Sequence, residues 1–247
     1  ILAAQEVKDK PSLIIGRTVM GKGAVKDDGS SHEGQVETHG KPLGKSKASY
    51  AKTIENLGGN AEDPFIIFPD VAEYYQGVLN DKRKVAADKK AIYNQWKQAN
   101  PDQSAILDQY LAGELPSLDF TKIALGTNDA TRNASSKVLG YLAKNVGNII
   151  VSSADLSNSD MTEGFLKKSK AFRKGDFSGG FLQAGVSELT MAALSTGMAL
   201  HGGVIPFCAT FFAFSDYMKP VLRVAALMEK PVKFIWTHDA FRVGEDG

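Results

Sequence analysis

Beyond Leu118 the chain alternates between segments with apolar residues at helical spacing and short, nearly continuous apolar runs. The order reads helix over 131–145, strand over 148–153, helix over 186–201, strand over 204–208, helix over 211–228 and strand over 232–236. Strands joined through helices re-enter a sheet parallel to one another, so this order predicts an α/β fold with a parallel sheet flanked by helices. Ligands of such sheets bind beyond the carboxyl ends of the strands. The residues that follow each apolar run are therefore the ones to examine.

The first part of the chain reads differently. Pro11-Ser12-Leu13-Ile14-Ile15-Gly16 carries a strand signal, residues 21–45 form a long polar loop, and 45–57 is a short helix stopped by Gly58-Gly59. Pro69-Asp70 opens a helix over 69–99, in which Val71, Tyr74, Val78, Val85, Ile92 and Trp96 predict a core-facing stripe and Asp81-Lys82-Arg83-Lys84 a solvated face. Another short helix covers 101–111, and Gly113-Glu114-Leu115-Pro116-Ser117 reads as a linker. Three parts are expected: the remnant of a preceding α/β domain over 1–68, a helical connector over 69–117, and a second α/β domain over 118–247.

Charge and cysteine content narrow the function. Twenty-nine basic and 28 acidic residues leave a net charge of +1, so no whole-chain field draws the protein to nucleic acid or to a membrane surface. No apolar run approaches the roughly 20 residues of a membrane span. The single cysteine, Cys208, lies in the run Val204-Ile205-Pro206-Phe207-Cys208, which predicts a core thiol and fits a reducing cytoplasm. The chain opens on Ile1 and closes on a polar, glycine-flanked loop after Trp236, so both ends read as cut from a longer protein.

Several side chains could carry chemistry. Glu188 stands in the first turn of a largely apolar helix; it is either a partner of the helix dipole or, with its pKa raised by partial burial, a proton relay. Phe211, Phe214 and Tyr217 recur every third residue, as core packing or as a wall for a flat heterocycle, and the sequence does not separate the two. Arg132 at a helix start and Ser159 in the polar loop after 148–153 suit a phosphate. His32 and His39 share the long loop at a spacing that fits no common metal motif, and His201 before Gly202-Gly203 reads as a helix cap.

Taken in order, these pieces resemble transketolase. The resemblance rests on Lys10-Pro11-Ser12-Leu13-Ile14-Ile15 with Met20-Gly21-Lys22-Gly23, His39-Gly40-Lys41-Pro42-Leu43-Gly44, Ala130-Thr131-Arg132 and Ser153-Ala154-Asp155-Leu156. It continues through Gly185-Val186-Ser187-Glu188, Leu200-His201-Gly202-Gly203, Phe214-Ser215-Asp216-Tyr217, Thr237-His238-Asp239 and Gly244-Glu245-Asp246-Gly247. It implies a thiamine-diphosphate fold, with 1–68 the tail of the diphosphate-binding domain and 118–247 the first part of the pyrimidine-binding domain. Glu188 then corresponds to the glutamate that hydrogen-bonds the cofactor's aminopyrimidine, and Phe211, Phe214 and Tyr217 to its aromatic pocket. Met20, Asp155 and Leu156 correspond to residues on the cofactor's other face. His39 and Asp246 resemble groups at the sugar hydroxyls, with His39 also catalytic, and Arg132, Ser159 and His238 resemble the sugar-phosphate site.

The implied reaction moves a two-carbon ketol unit from a ketose phosphate to an aldose phosphate, in the pentose phosphate pathway. A homodimeric parent in the cytoplasm is implied as well. The Gly-Asp-Gly motif that holds Mg²⁺ or Ca²⁺ under the diphosphate is missing from the sequence, so metal ligands are expected outside this chain, and the chain alone is expected to be inactive. Ser187 and Leu189 stand where the family usually has Arg and His, and the loop before His39 is longer than usual, which leaves His32 without a counterpart. Two other readings stand beside this one: a relative such as deoxyxylulose-phosphate synthase or a ketoacid dehydrogenase subunit, and a non-catalytic assembly or regulatory module.

Overall fold

Ile149–Ser153, Phe181–Gln183, Ile205–Phe211 and Lys233–Thr237 form four strands, β1 to β4, of one parallel sheet in the order β2-β1-β3-β4. The computed structural model describes residues 1–239, 241 and 244. Its helices are α1 (Leu2–Glu6), α2 (Tyr50–Asn56), α3 (Pro69–Ala99), α4 (Pro101–Ala112), α5 (Thr131–Asn145), α6 (Glu163–Leu166), α7 (Glu188–His201) and α8 (Lys219–Leu227). Two compact units, Ile1–Lys90 and Ala91–Gly247, divide the chain.

In the second unit the two-residue period of the strands sorts side chains to opposite faces. Ile149 and Val151 join Leu139, Val146, Phe165 and Phe181 in one buried cluster, with Ile205, Phe207 and Ile235 packed against it. Cys208 points the other way, to Ala154, Met191, Ala192 and Met218, with Val221, Leu222, Val232 and Phe234 around them. So α5 covers one face and α7 and α8 the other. Each fully buried side chain of this size contributes roughly 2 kcal/mol by leaving water. The expected parallel sheet flanked by helices is present, and Cys208 is a core residue, 0% exposed, its thiol pushed up by burial to about 12.

The helix expected over 131–145 is α5, and those expected over 69–99 and 101–111 are α3 and α4. Residues 211–228 are not one helix: the last residue of β3 is followed by a 3₁₀ segment, Phe212–Met218, and only then by α8, whose start is favoured by Pro220 at its first turn. The short strand β2 and helix α6 were not expected. Both are too brief to show a period, and β2 exists because β1 offers it a ladder.

Two further expectations fail. Leu13, Ile14 and Ile15 are 86%, 59% and 80% exposed and pair with nothing, because an apolar run becomes a strand only beside another strand, and all four described strands lie in the second unit. The stripe on α3 is not core-facing: no residue of that helix is buried, and Tyr74 and Ile92 are about two-thirds exposed. Its apolar positions are too widely spaced, and too interrupted by charge, to make the continuous face that buries a helix.

The first unit is held by polar contacts within its long loop. A 3₁₀ turn at Leu43–Ser46 brings the Ser46 carbonyl onto His32 Nε2 at 2.6 Å, and the side chain of Asn56 donates to the Gly23 carbonyl at 2.9 Å. Val25 N–H donates to Thr53 Oγ1 at 3.2 Å. The chain therefore folds back from α2 onto residues 23–32.

Candidate active site

A helix that precedes a parallel strand starts beside the carboxyl ends of the sheet, and a loop that follows a strand starts there too. Four loops and two helix starts of the second unit consequently share one edge. Strand β1 delivers Asp155, Leu156 and Ser159, and the segment after β2 delivers Glu188 as the first residue of α7. Strand β3 ends on Phe211, β4 is followed by His238, and α5 brings in Arg132. The strand order changes direction between β1 and β3, which is where such sheets open a crevice.

Phe211, Phe214 and Tyr217 form a row. A 3₁₀ segment repeats every three residues, so side chains three apart eclipse. The rings of Phe211 and Phe214 stack at 5.6 Å and 15°, and Phe214 and Tyr217 follow at 6.3 Å and 32°. Phe211 is buried and Tyr217 is 63% exposed, so the row runs from the sheet outwards. Glu188 is 8% exposed, in a helix that packs against this 3₁₀ segment, and none of the ion pairs among the described residues involves it.

Arg132, His238 and Ser159 meet. Arg132 Nη1 donates to His238 Nε2 at 2.7 Å and to the Ser159 carbonyl at 3.4 Å. A guanidinium only donates, so Nε2 carries the lone pair and Nδ1 the proton, which faces Thr237 Oγ1 at 3.0 Å. The imidazole lies over Phe211 with centroids 3.7 Å apart, and His238 takes a left-handed backbone at φ 54°. A non-glycine residue in that region is strained, and such strain gathers at functional positions. Among the described residues the remaining guanidinium donors of Arg132 have no hydrogen-bond partner, an arrangement that suits an anion.

Asp155 is exposed, also with positive φ (63°), and Leu156 is half-buried beside it. Met20 and His39 belong to the first unit. Met20 is 38% exposed with its carbonyl accepting from Gly34 N–H at 2.7 Å, and His39 is an exposed residue closing the 3₁₀ turn Val36–Thr38. Asp246 lies outside the described residues. His32 is buried on the Ser46 carbonyl, a structural contact, and His201 Nδ1 reaches the Gly202 carbonyl at 3.1 Å at the end of α7. Among the described residues no three His, Cys, Asp or Glu gather as metal ligands.

Sequence reasoning missed Asp160. It is 0% exposed, accepts from Ser153 Oγ at 2.6 Å through Oδ2, and accepts at Oδ1 from Thr162 N–H at 2.9 Å and Thr162 Oγ1 at 2.7 Å. Burial pushes its carboxyl above the usual carboxylate range, against the hydrogen bonds from Ser153 and Thr162. The pattern Asp-x-Thr is a local signal for a side-chain turn, but it carries no sign that the turn is buried.

Comparison with known proteins finds two family models along the chain. Residues 1–116 match the family model described as the transketolase thiamine diphosphate binding domain, and residues 128–247 the transketolase pyrimidine binding domain. The chain is 37% identical over 251 residues to a transketolase of Halalkalibacterium halodurans and 35% identical over 248 residues to one of Bacillus subtilis, covering 99% of this chain and 36% of either relative. Among solved structures it is similar to transketolase from Leishmania mexicana, with a TM-score of 0.81 and 28% identity over 100% of this chain and 36% of that one. A transketolase from Pichia stipitis in complex with sedoheptulose 7-phosphate matches with a TM-score of 0.78 and 29% identity, over 99% of this chain and 36% of that one. The chain thus spans about a third of the length of these relatives.

Proposed function

The chain belongs to the transketolase family, its two halves matching successive domain models of that family, and we propose that it supplies the pyrimidine side and the phosphate-holding side of a ketol-transfer site. The observation that carries this reading is the shared sheet edge, where Glu188, the aromatic row and the Arg132–His238–Ser159 group stand together. A stacked row on the same sheet edge as a nearly buried carboxylate that makes no ion pair among the described residues fits a flat heterocycle with ring nitrogens and an amino group. The residues present therefore fit the pyrimidine of thiamine diphosphate.

When bound, thiamine diphosphate supplies the carbanion chemistry that cleaves and remakes the bond next to the ketose carbonyl. Glu188 holds or releases a proton at its carboxylate, from the first turn of α7 and largely withdrawn from water. Phe211, Phe214 and Tyr217 would hold the pyrimidine by stacking, and Asp155 and Leu156 would line the cofactor's other face. Arg132, His238 and Ser159 hold the phosphate of a sugar phosphate, so that binding energy remote from the reacting bond orients the carbonyl. The same reading gives Met20 a cofactor-facing role, and gives His39 and Asp246 roles at the sugar hydroxyls.

In this reading the longer protein is a homodimer of the pentose phosphate pathway, Mg²⁺ or Ca²⁺ is held by ligands outside this chain, and the 247-residue stretch alone does not turn over. The lone, buried Cys208 supports a reducing, cytoplasmic setting, and no helix of the described residues is long and apolar enough to cross a membrane. The test is Glu188→Ala in the intact protein, assayed with a ketose phosphate and an aldose phosphate. Losing a positioned proton relay costs about 10²- to 10⁴-fold in turnover. Unchanged turnover would favour a non-catalytic assembly module instead.

A further inference from the structure

Among the described residues the same small turn recurs four times. Asp28, Asp119, Asp160 and Asp176 each accept, through Oδ1, from the N–H and the hydroxyl of the Ser or Thr two residues on. Three of these turns lie on the surface, so the motif needs no burial. The fourth is buried completely, which costs free energy for a carboxylate. Burial of Asp160 therefore serves something beyond the turn.

What sets Asp160 apart is its second oxygen. Oδ2 accepts from Ser153 Oγ, and that hydroxyl in turn accepts from the N–H of Leu156 at 3.2 Å. The carboxylate thus bonds both ends of the segment 153–162. One arm runs through Ser153 to Leu156, beside Asp155; the other fixes Thr162 and adjoins Ser159, whose carbonyl takes the Arg132 guanidinium. Asp155 and Met161, inside the closed ring, both have positive φ, conformations that persist only when their surroundings over-determine them.

We infer that Asp160 is a positioning residue that ties the cofactor-facing half of this loop, Asp155 and Leu156, to the phosphate-facing half, Ser159 with Arg132. The inference rests on the function proposed above and deepens it. Removing the carboxylate releases both halves together, whereas a residue of the same shape keeps them in place. Asparagine can accept from Thr162 through its oxygen and donate to Ser153 Oγ through its nitrogen, so it keeps the ring closed.

The test uses the intact enzyme. In Asp160→Ala, the KM for a ketose phosphate and the dissociation constant for thiamine diphosphate are each expected to rise about tenfold, the equivalent of one or two buried hydrogen bonds. Asp160→Asn should restore both, and Asp176→Ala, which removes a surface turn of the same kind, should change neither. A folded Asp160→Ala enzyme with a lower melting temperature and both constants unchanged would overturn the inference. If Asp160→Ala does not fold, Ser153→Ala and Thr162→Val cut one arm each: the first should weaken the cofactor, the second the phosphate ester, and no change in either would also overturn it. Should the wild-type protein show no ketol transfer, the functional reading fails by itself. Hydrogen exchange at the Leu156 and Thr162 amides then decides, slow in the wild type and fast in Asp160→Ala if the carboxylate closes the loop, and alike in both if it does not.

Discussion

Asp160 is also where pH should act on this protein's stability. Its folded-state carboxyl holds a proton more tightly than a free side chain does, so its contribution to stability is complete below the ordinary value of 3.8 and is lost as pH rises through the higher folded value. At neutral pH the ionised group is a cost. The neutral Asp160→Asn variant should therefore be more stable than the wild type to urea at pH 7, with the difference closing as pH falls towards 4. A constant difference across that range would mean that shape, not charge, separates the two. The sequence singled out Arg132, His238 and Glu188, because an arginine or a carboxylate at a helix start and polar residues after an apolar run have local signatures. Asp160 has the same local signature as three surface residues. Only the tertiary fold distinguishes them.

At the scale of elements, α6 and α5 pack tightly where they cross. A Cβ on Gly164 would stand 2.3 Å from the carbonyl oxygen of Ser136, and that oxygen cannot rotate away. Gly164→Ala should therefore destabilise the protein by about 1–3 kcal/mol, as overpacking does, visible as a lower urea midpoint with an unchanged slope. A midpoint equal to that of the wild type would show that α6 shifts freely. The long elements were legible in the sequence: α5 spans Thr131–Asn145 as its spacing predicts, and three of the four strands coincide with apolar runs. The short ones were not. Helix α6 is a single turn held by Gly164 against α5, and β2 is three residues recruited by β1, so neither has a period to read. The run Leu13-Ile14-Ile15 erred the other way: strand propensity without a neighbouring strand gives exposed, unpaired chain.

For the whole molecule, the boundary between the two compact units falls inside α3. At 31 residues this helix is about 46 Å long, and none of its residues is buried. It therefore depends on intrinsic propensity and local side-chain pairs, which support a helix only weakly in water. Amides in the middle of α3 should exchange with solvent much faster than those of β1 and β3, where opening requires the core to unfold. Comparable protection would mean that some further surface covers its apolar side chains. The sheet in the second unit behaves differently, because its strands all end on the edge that carries Glu188, Phe211 and His238 while their starts carry none of them. For a protein engineer this is a bench with the tools along one side. If the proposed function holds, a combinatorial library confined to the segments after the strands should change substrate preference, and grafts or fusions at the far side should not.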